Sequence, residues 1–314
     1  MVYYMAPLEG ITDSIYRRLH DKHFPGVDRY YTPFFSPTIH RALTPREARE
    51  LPAADTLHAE VVPQLLTKVP QDFIWMTRVC KDLGYHEINL NLGCPSGTVT
   101  AKGKGSGMLR EPDTLKQFLD EIYAGSSLPV SIKTRLGFTE REEFYHLLEL
   151  FNQYPIQELT IHPRVRKDFY DGSVDMEMFR YAAENSRAPL CFNGNVCSKG
   201  DITVISRENP EISAIMIGRG LVGDPGMLTP GGTERKTLIL FLDELLEEYT
   251  AAFGGSRNAM FRLKENWRYL FCLFQPDAKL QKRLRKATDL QEYKAVTGEI
   301  LHNLPMQSQL QPDW

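Results

Sequence analysis

Short apolar runs recur along the first two thirds of the chain, and longer amphipathic segments separate them. The runs have the alternation and length of β-strands, and the segments between them have the period of helices. We predict strands at Tyr3–Ala6, Asp28–Thr32, Glu60–Leu65, Glu87–Leu92, Val130–Lys133, Glu158–His162, Leu190–Asn193 and Ile215–Ile217. A strand followed by a helix, repeated about eight times, favours a parallel (β/α)8 TIM barrel. A doubly wound open sheet is the alternative, because the pattern alone does not show closure.

The pattern changes near residue 230, where Thr229-Pro230-Gly231-Gly232 interrupts it. Beyond this break the chain has only helical periodicity. The predicted helices are Lys236–Phe253, Asn258–Phe274, Pro276–Ala287 and Leu290–Leu301. The predicted fold is therefore α/β, with a (β/α)8 barrel over residues 1–230 and an all-helical C-terminal domain over residues 231–314.

Composition does not change the predicted fold, but it limits the cellular compartment and the kinds of binding partner. The formal net charge is −3, so a polyanionic partner would have to bind local basic patches. The five cysteines are scattered without a CxxC motif, which indicates a reducing cytoplasm, no disulfide framework and no structural zinc. No run is long and apolar enough for a membrane span, and the first predicted strand leaves no room for a signal peptide. We expect a cytoplasmic protein with no membrane partner and no metal.

A cysteine follows the predicted strand that ends at Leu92. Cys94 stands between Gly93 and Pro95, and a loop rich in Gly, Ser, Thr and Lys comes after it. Residues at the carboxyl ends of strands carry the chemistry of α/β enzymes, so Cys94 is the candidate catalytic residue. The alternative is that Cys94 is a small buried hydrophobe, as many cysteines outside disulfides are.

Most of the other predicted strands also end in polar residues. The residues at the strand ends, nearly all of them polar, are Ala6, Pro7, Leu8, Gln64, Asn89, Asn91, Cys94, Lys133, Arg135, His162, Arg164, Asn193, Gly194, Asn195, Gly218, Arg219 and Gly220. Those following the last two strands occupy the usual phosphate-binding corner of a barrel, where backbone N–H groups and Arg219 would hold the anion. Two ordinary glycine turns are the alternative.

Two glycine-rich segments and one lysine need separate interpretation. Residues 218–223 match GxGxxG, but no second strand follows, so a Rossmann unit is excluded. Residues 103–107 lack Walker spacing, and a flexible basic loop that faces the substrate fits them better. Lys133 has three possible roles: a Schiff-base lysine of an aldolase, a cation against an electron-rich cofactor ring, or a surface lysine.

Several motifs in this order resemble the tRNA-dihydrouridine synthases. They are MAPLEGITD, NLNLGCPSGTV, IKTRLG, HPRVRKDFYDGSVD, FNGNV and MIGRG, over about three quarters of the chain. The resemblance implies an FMN-dependent oxidoreductase on a (β/α)8 barrel. It would reduce the C5–C6 double bond of particular uridines in tRNA, with NADPH as the electron donor. The chain would then be a monomeric flavoprotein whose helical domain binds RNA.

The resemblance also implies roles for individual residues. Cys94 would be the general acid that protonates C5 of uracil, with hydride passing from reduced FMN to C6, and Asn91 would lie near the uracil. The FMN ring and ribityl chain would contact Ala6, Pro7, Leu8, Gln64, Lys133 and His162. The FMN phosphate would contact Asn193, Gly194, Asn195, Gly218 and Arg219. Arg135 and Arg164 would lie near the base or its phosphate.

RNA contacts would have to come from basic patches. The candidates are Lys102, Lys104, Arg164, Arg166, Lys167, Lys264, Arg268, Lys279, Lys282, Arg283, Arg285 and Lys286. The alternative for such runs is a solvated helix face. Departures from the family pattern at residues 32–34, 104, 107, 176 and 264 leave the RNA target open, including ribosomal RNA in place of tRNA.

Three other functions remain open from the sequence. A flavin enzyme acting on a free pyrimidine would share the barrel but would not need a basic helical tail. A catalytically idle RNA-binding protein would not need Cys94, Lys133 and His162 together. An aldolase would use Lys133 alone.

Overall fold

The computed structural model describes residues 1–38, 40–52, 57–310 and 312 of the 314-residue chain. The strands are β1 (Val2–Met5), β2 (Arg29–Tyr31), β3 (Glu60–Val62), β4 (Gln64–Leu65), β5 (Ile88–Leu92), β6 (Val130–Gly137), β7 (Leu159–Val165), β8 (Leu190–Asn193) and β9 (Ala214–Ile217). The helices are α1 (Ser14–His23), α2 (Pro45–Glu50), α3 (Pro70–Asp82), α4 (Gly97–Thr100), α5 (Pro112–Gly125), α6 (Glu143–Phe151), α7 (Met176–Asn185), α8 (Lys199–Glu208), α9 (Arg219–Gly223), α10 (Arg235–Ala252), α11 (Ser256–Leu270), α12 (Ala278–Lys286) and α13 (Leu290–Asn303).

The sheet closes on itself at a proline. The strand order is β3-β2-β1-β9-β8-β7-β6-β5-β4, and the strands pair in parallel. The two ends of this order, β3 and β4, are separated in the chain only by Pro63. Proline lacks a backbone N–H, so it interrupts the ladder while its carbonyl still accepts from Asn89 N at 2.8 Å. The two segments act as one strand of an eight-stranded barrel. The predicted (β/α)8 fold is confirmed, and the open sheet is excluded.

Alternation along the strands divides the side chains between two packed regions. An apolar cluster inside the barrel includes Tyr4, Tyr31, Val62, Cys191 and Met216. The amphipathic helices around the sheet bury one face each. In α5 this face consists of Leu115, Phe118, Leu119 and Ile122, at the spacing of one helical stripe. Burying each such side chain contributes about 1.5–3 kcal/mol.

A cluster of charged side chains lies at the amino ends of the strands. Arg29 contacts Glu60 at 2.6 Å and Glu87 at 3.3 Å, and its guanidinium lies over the Tyr4 ring. The Tyr4 hydroxyl donates to Glu158 at 2.9 Å. Burial raises the pKa of Glu158 to about 7. The end of the barrel formed by the amino ends of the strands therefore holds a carboxyl group that is readily protonated.

The chain forms two compact units, and each of them is built from three stretches that are not contiguous in the sequence. The first comprises residues 1–7, 28–195 and 204–216, and the second comprises residues 8–27, 196–203 and 217–314. The sequence-based boundary at residue 230 instead divides the chain once. The helices predicted beyond residue 230 correspond to α10–α13. Residues 311, 313 and 314 of this segment lie outside the described residues. In the second unit α1 packs on α10, and its N-cap Asp13 is bonded to Tyr249 and Arg262.

None of the helices in the described part of the chain combines the length and apolar character needed to cross a membrane.

Candidate active site

The register of the strands brings the predicted polar residues together inside the mouth of the barrel, at the carboxyl ends of the strands. Gln64 pairs with Asn89, Asn91 pairs with Lys133, and Arg135 pairs with His162. Because parallel neighbours in register place their side chains on the same face, these residues form adjacent rows. The rows lie above the apolar interior of the barrel and below the loop that carries Cys94.

Side-chain amides form a continuous hydrogen-bonded ladder that ends at Cys94. Asn89 Nδ2 donates to Ser131 Oγ at 2.9 Å, and Gln64 Nε2 donates to Asn89 Oδ1 at 2.8 Å. Asn91 Nδ2 donates to Gln64 Oε1 at 2.7 Å, while Asn91 Oδ1 accepts from Cys94 N at 2.9 Å. Each amide uses both its donor and its acceptor, so the ladder fixes the orientation of every member.

The loop after Cys94 folds back and holds the same residue from the other side. Ser106 Oγ donates to the Cys94 carbonyl at 2.8 Å, and Ser106 N donates to it at 3.2 Å. A Cβ added to Gly105 would lie 3.0 Å from that carbonyl, so the backbone there packs directly on Cys94. Arg135 Nε donates to the Gly93 carbonyl at 2.9 Å. The backbone of Cys94 is thus held by bonds to both of its peptide groups, and its side chain remains half-buried.

Lys133 is a cation without a protein partner in the barrel mouth. It is half-buried and forms no hydrogen bond or ion pair within the described residues. Burial, together with the charge of Arg135, lowers the pKa of Lys133 to about 8, and Cys191 and Cys94 act in the opposite direction. Desolvating an unpaired ammonium group is costly, so its position suits an electron-rich or anionic ligand.

A second buried network runs from His162. Arg164 Nη1 donates to His162 Nε2 at 3.0 Å, and His162 Nδ1 lies 3.4 Å from Asn193 Oδ1. Asn193 Nδ2 donates to the Met216 carbonyl at 2.8 Å, which fixes its amide. The Nε2 atom is an acceptor, so the imidazole is neutral with its proton on Nδ1. Burial, followed by Arg135, Lys133 and Arg164, lowers the pKa of His162 well below its usual value.

The guanidinium groups of Arg164 and Arg135 donate their described hydrogen bonds to other groups of the protein. Arg164 donates to the carbonyls of Asp171 and Gly172 in the loop after β7. Arg135 also donates to the Val165 carbonyl at 3.1 Å and lies over the Tyr170 ring. Both arginines are only 2% exposed. They brace the two loops that border the mouth.

The remaining predicted residues are divided between the two units. Ala6, Pro7, Gly194, Asn195 and Lys102 belong to the first unit, where Asn195 and Lys102 are exposed. Leu8, Gly218 and Arg219 belong to the second unit. In that unit a Cβ added to Gly220 would lie 2.1 Å from the Val196 carbonyl oxygen. The backbones after β8 and β9 are therefore in direct contact at this glycine.

Sequence reasoning missed several members of the site. Ser106 and Ser131 carry no distinguishing sequence signal, because their roles depend on partners 12 and 42 residues away. Tyr170 lies in the HPRVRKDFYDGSVD motif but is not among the predicted site residues. Its ring packs edge-on against His162, with 5.9 Å between the ring centroids.

The half-buried thiol of Cys94 and the unpaired Lys133 lie at the carboxyl ends of the strands, which is where (β/α)8 barrel enzymes carry their active sites. Residues 4–297 match the family model described as dihydrouridine synthase (Dus), and the chain belongs to this family. The family consists of flavin-dependent oxidoreductases.

Relatives of known name are similar at modest identity. The tRNA-dihydrouridine synthase B of Pasteurella multocida is 27% identical over 224 residues, covering 71% of this chain and 66% of that protein, just under two thirds of its length. A probable tRNA-dihydrouridine synthase of Staphylococcus aureus is 26% identical over 314 residues, covering 94% of this chain and 92% of that protein.

Solved structures show the same fold at low identity. Morphinone reductase superposes with a TM-score of 0.51 at 10% identity, covering 72% of this chain and 84% of that chain. The old yellow enzyme homologue from Zymomonas mobilis superposes with a TM-score of 0.51 at 10% identity, covering 71% of this chain and 86% of that chain. These likenesses support the barrel fold.

Proposed function

We propose that this protein reduces particular uridines of folded tRNA to 5,6-dihydrouridine, with FMN as its cofactor and NADPH as the reductant. The observation that carries the proposal is the ladder from Ser131 to Cys94, which holds a thiol-bearing residue rigidly beside the unpaired cation Lys133. The names of the relatives from P. multocida and S. aureus support tRNA as the substrate.

The residues of the mouth suit FMN. Lys133 offers an uncompensated, partly desolvated ammonium group, and His162 offers a neutral imidazole in a fixed tautomer. Reduced FMN would supply the hydride for C6 of the uracil. Lys133, Gln64, His162, Ala6 and Pro7 would hold the ring and ribityl chain, since all five belong to the mouth or its border. Among the predicted phosphate contacts, Asn193, Gly194 and Asn195 belong to the first unit. Gly218 and Arg219, the other predicted phosphate contacts, and Leu8, a predicted contact of the ring and ribityl chain, belong to the second unit.

Cys94 would supply the proton to C5 of the uracil. The thiol is close enough to Lys133 and Arg135 to raise the pKa of both groups. The same two cations stabilise the thiolate that remains after proton transfer. Since the Cys94 backbone is fixed through Asn91 and Ser106, rotation about the Cα–Cβ bond is the main freedom left to the sulfur, which limits its positions relative to the acceptor carbon.

The roles proposed for the other polar residues follow from their bonds. Asn91 uses one Nδ2 proton on Gln64, which leaves the second for a uracil carbonyl. Arg135 and Arg164 are proposed to position loops, because their described bonds go to backbone carbonyls and His162. On α12, Arg283 is paired with Glu299 at 2.7 Å, which leaves Lys279, Lys282, Arg285 and Lys286 as the stronger candidates for RNA contact.

The direct test is reconstitution. The purified protein is loaded with FMN, given NADPH and an unmodified tRNA transcript, and the RNA nucleosides are analysed by mass spectrometry. We expect dihydrouridine from tRNA and none from free uridine. The Cys94→Ala variant should bind FMN normally but lose nearly all product. Cys80→Ala, which removes a thiol buried on α3, is the matched control and should retain activity.

Other outcomes would redirect the proposal. Product from ribosomal RNA but not tRNA would change the substrate. Turnover of free uridine at a comparable rate would indicate a free-pyrimidine reductase. Full activity of Cys94→Ala would refute the role of the thiol.

A further inference from the structure

Three lysines gather around one glycine beside the barrel mouth. Lys102 and Lys104 flank Gly103, and Lys68 follows the strand segment β4. Gly103 has a φ of 65°, the left-handed region that favours glycine, so the chain turns sharply between the two loop lysines. A Cβ added to Gly103 would lie 3.6 Å from Lys68 Nζ, so the Lys68 side chain crosses the turn. We refer to Lys68, Lys102 and Lys104 as the lysine triad.

The positive charge of the triad is poorly compensated. Lys104 Nζ donates to Ser36 Oγ at 2.7 Å, a neutral partner. Burial lowers the pKa of Lys104, and Lys102 and Lys68 lower it further, so both neighbouring lysines lie within electrostatic range of the Lys104 ammonium group. Asp72 opposes this effect but is shared with Arg41, at 3.2 Å. In the part of the chain that the structure describes, Lys68 and Lys102 are exposed and form no salt bridge.

The triad is connected to the catalytic loop through the backbone. Immediately after Lys104 the chain forms a 3-10 helix, Gly105–Arg110, whose first five residues are buried. Gly105 packs on Cys94, and Ser106 donates twice to the Cys94 carbonyl. The turn that carries the triad is therefore continuous with the segment that holds Cys94.

We propose that the lysine triad binds a single backbone phosphate of the substrate RNA, next to the uridine that enters the barrel mouth. The ligand is a phosphodiester, because the triad supplies charge and ammonium donors without an aromatic or amide surface for a base. One phosphate is inferred because all three lysines lie around the same turn. This inference rests on the proposed function and adds a specific contact to it.

The test compares binding of an unmodified tRNA transcript to the FMN-loaded protein over a series of salt concentrations. In the Lys68→Gln/Lys102→Gln variant we expect tRNA affinity to fall about tenfold. The slope of log Kd against log salt should fall by about one, as expected for one lost phosphate contact. KM for tRNA should rise by a similar factor, while kcat and KM for NADPH stay within twofold of the wild-type values.

Lys81→Gln is the matched control, since Lys81 is an exposed lysine in the last turn of α3, away from the mouth. It should leave tRNA affinity and the salt slope unchanged. A slope that falls by two would show two separate phosphates and overturn the single-phosphate proposal. An unchanged slope, or a rise in KM for NADPH alone, would also overturn it. Binding is measured without turnover, so the absence of dihydrouridine would refute only the proposed function.

Discussion

The side-chain oxygen of Asn91 accepts a hydrogen bond from the backbone N–H of Cys94, with 2.9 Å between the two atoms. The same oxygen also accepts from Gly93 N at 3.1 Å. A strand residue thereby caps the turn that follows its own strand. The position of the thiol is consequently set by the barrel wall, because Asn91 is oriented in turn by Gln64.

Replacing Asn91 with alanine should uncouple Cys94 from the barrel. The change leaves the N–H groups of Gly93 and Cys94 and the Gln64 side-chain oxygen without this partner, at about 1–3 kcal/mol for each group that stays buried and unpaired. Because misplacing a reacting group by about 1 Å can cost on the order of 100-fold in rate, we expect kcat to fall about 100-fold. Steady-state kinetics and urea unfolding measure the two effects.

Asn185→Ala is the control for that experiment. Asn185 ends α7, and among the described residues its side chain bonds to Tyr181 O in its own helix, at 2.8 Å. Its loss should leave kcat unchanged. Wild-type kcat in Asn91→Ala would show that Ser106 and Arg135 alone position the cysteine.

Glu158→Gln should stabilise the protein at alkaline pH but not at acidic pH. The folded-state pKa of about 7 lies above the usual value near 4.5. The stability associated with this raised pKa is therefore present below about pH 4.5 and is lost as pH rises through 7. The loss is about 3 kcal/mol at 1.36 kcal/mol for each pKa unit. Glutamine keeps an acceptor for Tyr4 without a charge to bury.

The measurement is the difference in unfolding free energy between Glu158→Gln and wild type at pH 5 and pH 8.5. The difference should grow in favour of the variant by up to about 3 kcal/mol at the higher pH. Glu184→Gln, at an exposed position on α7, should show no such growth. A pH-independent difference for Glu158→Gln would show that Arg29 keeps the carboxylate ionised throughout.

Two glycines of the second unit should respond oppositely to alanine. A Cβ on Gly220 would meet the Val196 carbonyl oxygen at 2.1 Å, so Gly220→Ala should destabilise the protein by about 1–3 kcal/mol. Gly298 lies within α13 with no atom near its would-be Cβ, so Gly298→Ala should stabilise it by about 0.5–1 kcal/mol. Thermal unfolding of both variants checks the signs. An unchanged Tm for Gly220→Ala would contradict the close contact after β8 and β9.

The positions of the strands and the chemical character of their ends were predictable from the sequence. Alternation and length mark β5 and its neighbours locally, and the Gly-Cys-Pro turn after β5 identifies Cys94 without any knowledge of pairing. The predicted helices of the C-terminal segment agree with α10–α13 within a few residues.

Closure of the barrel and the bonding of its mouth were decided only by the tertiary structure. No local pattern predicts that β3 and β4, on either side of Pro63, form the two ends of the strand order. This pairing depends on the twist and register of all the strands. Likewise, the contacts from Gln64 to Asn89 and from Ser106 to Cys94 join residues 25 and 12 positions apart. The sequence by itself determined which groups stand at the strand ends. Folding determined which of them bond to one another, because hydrogen bonds form between neighbours in space.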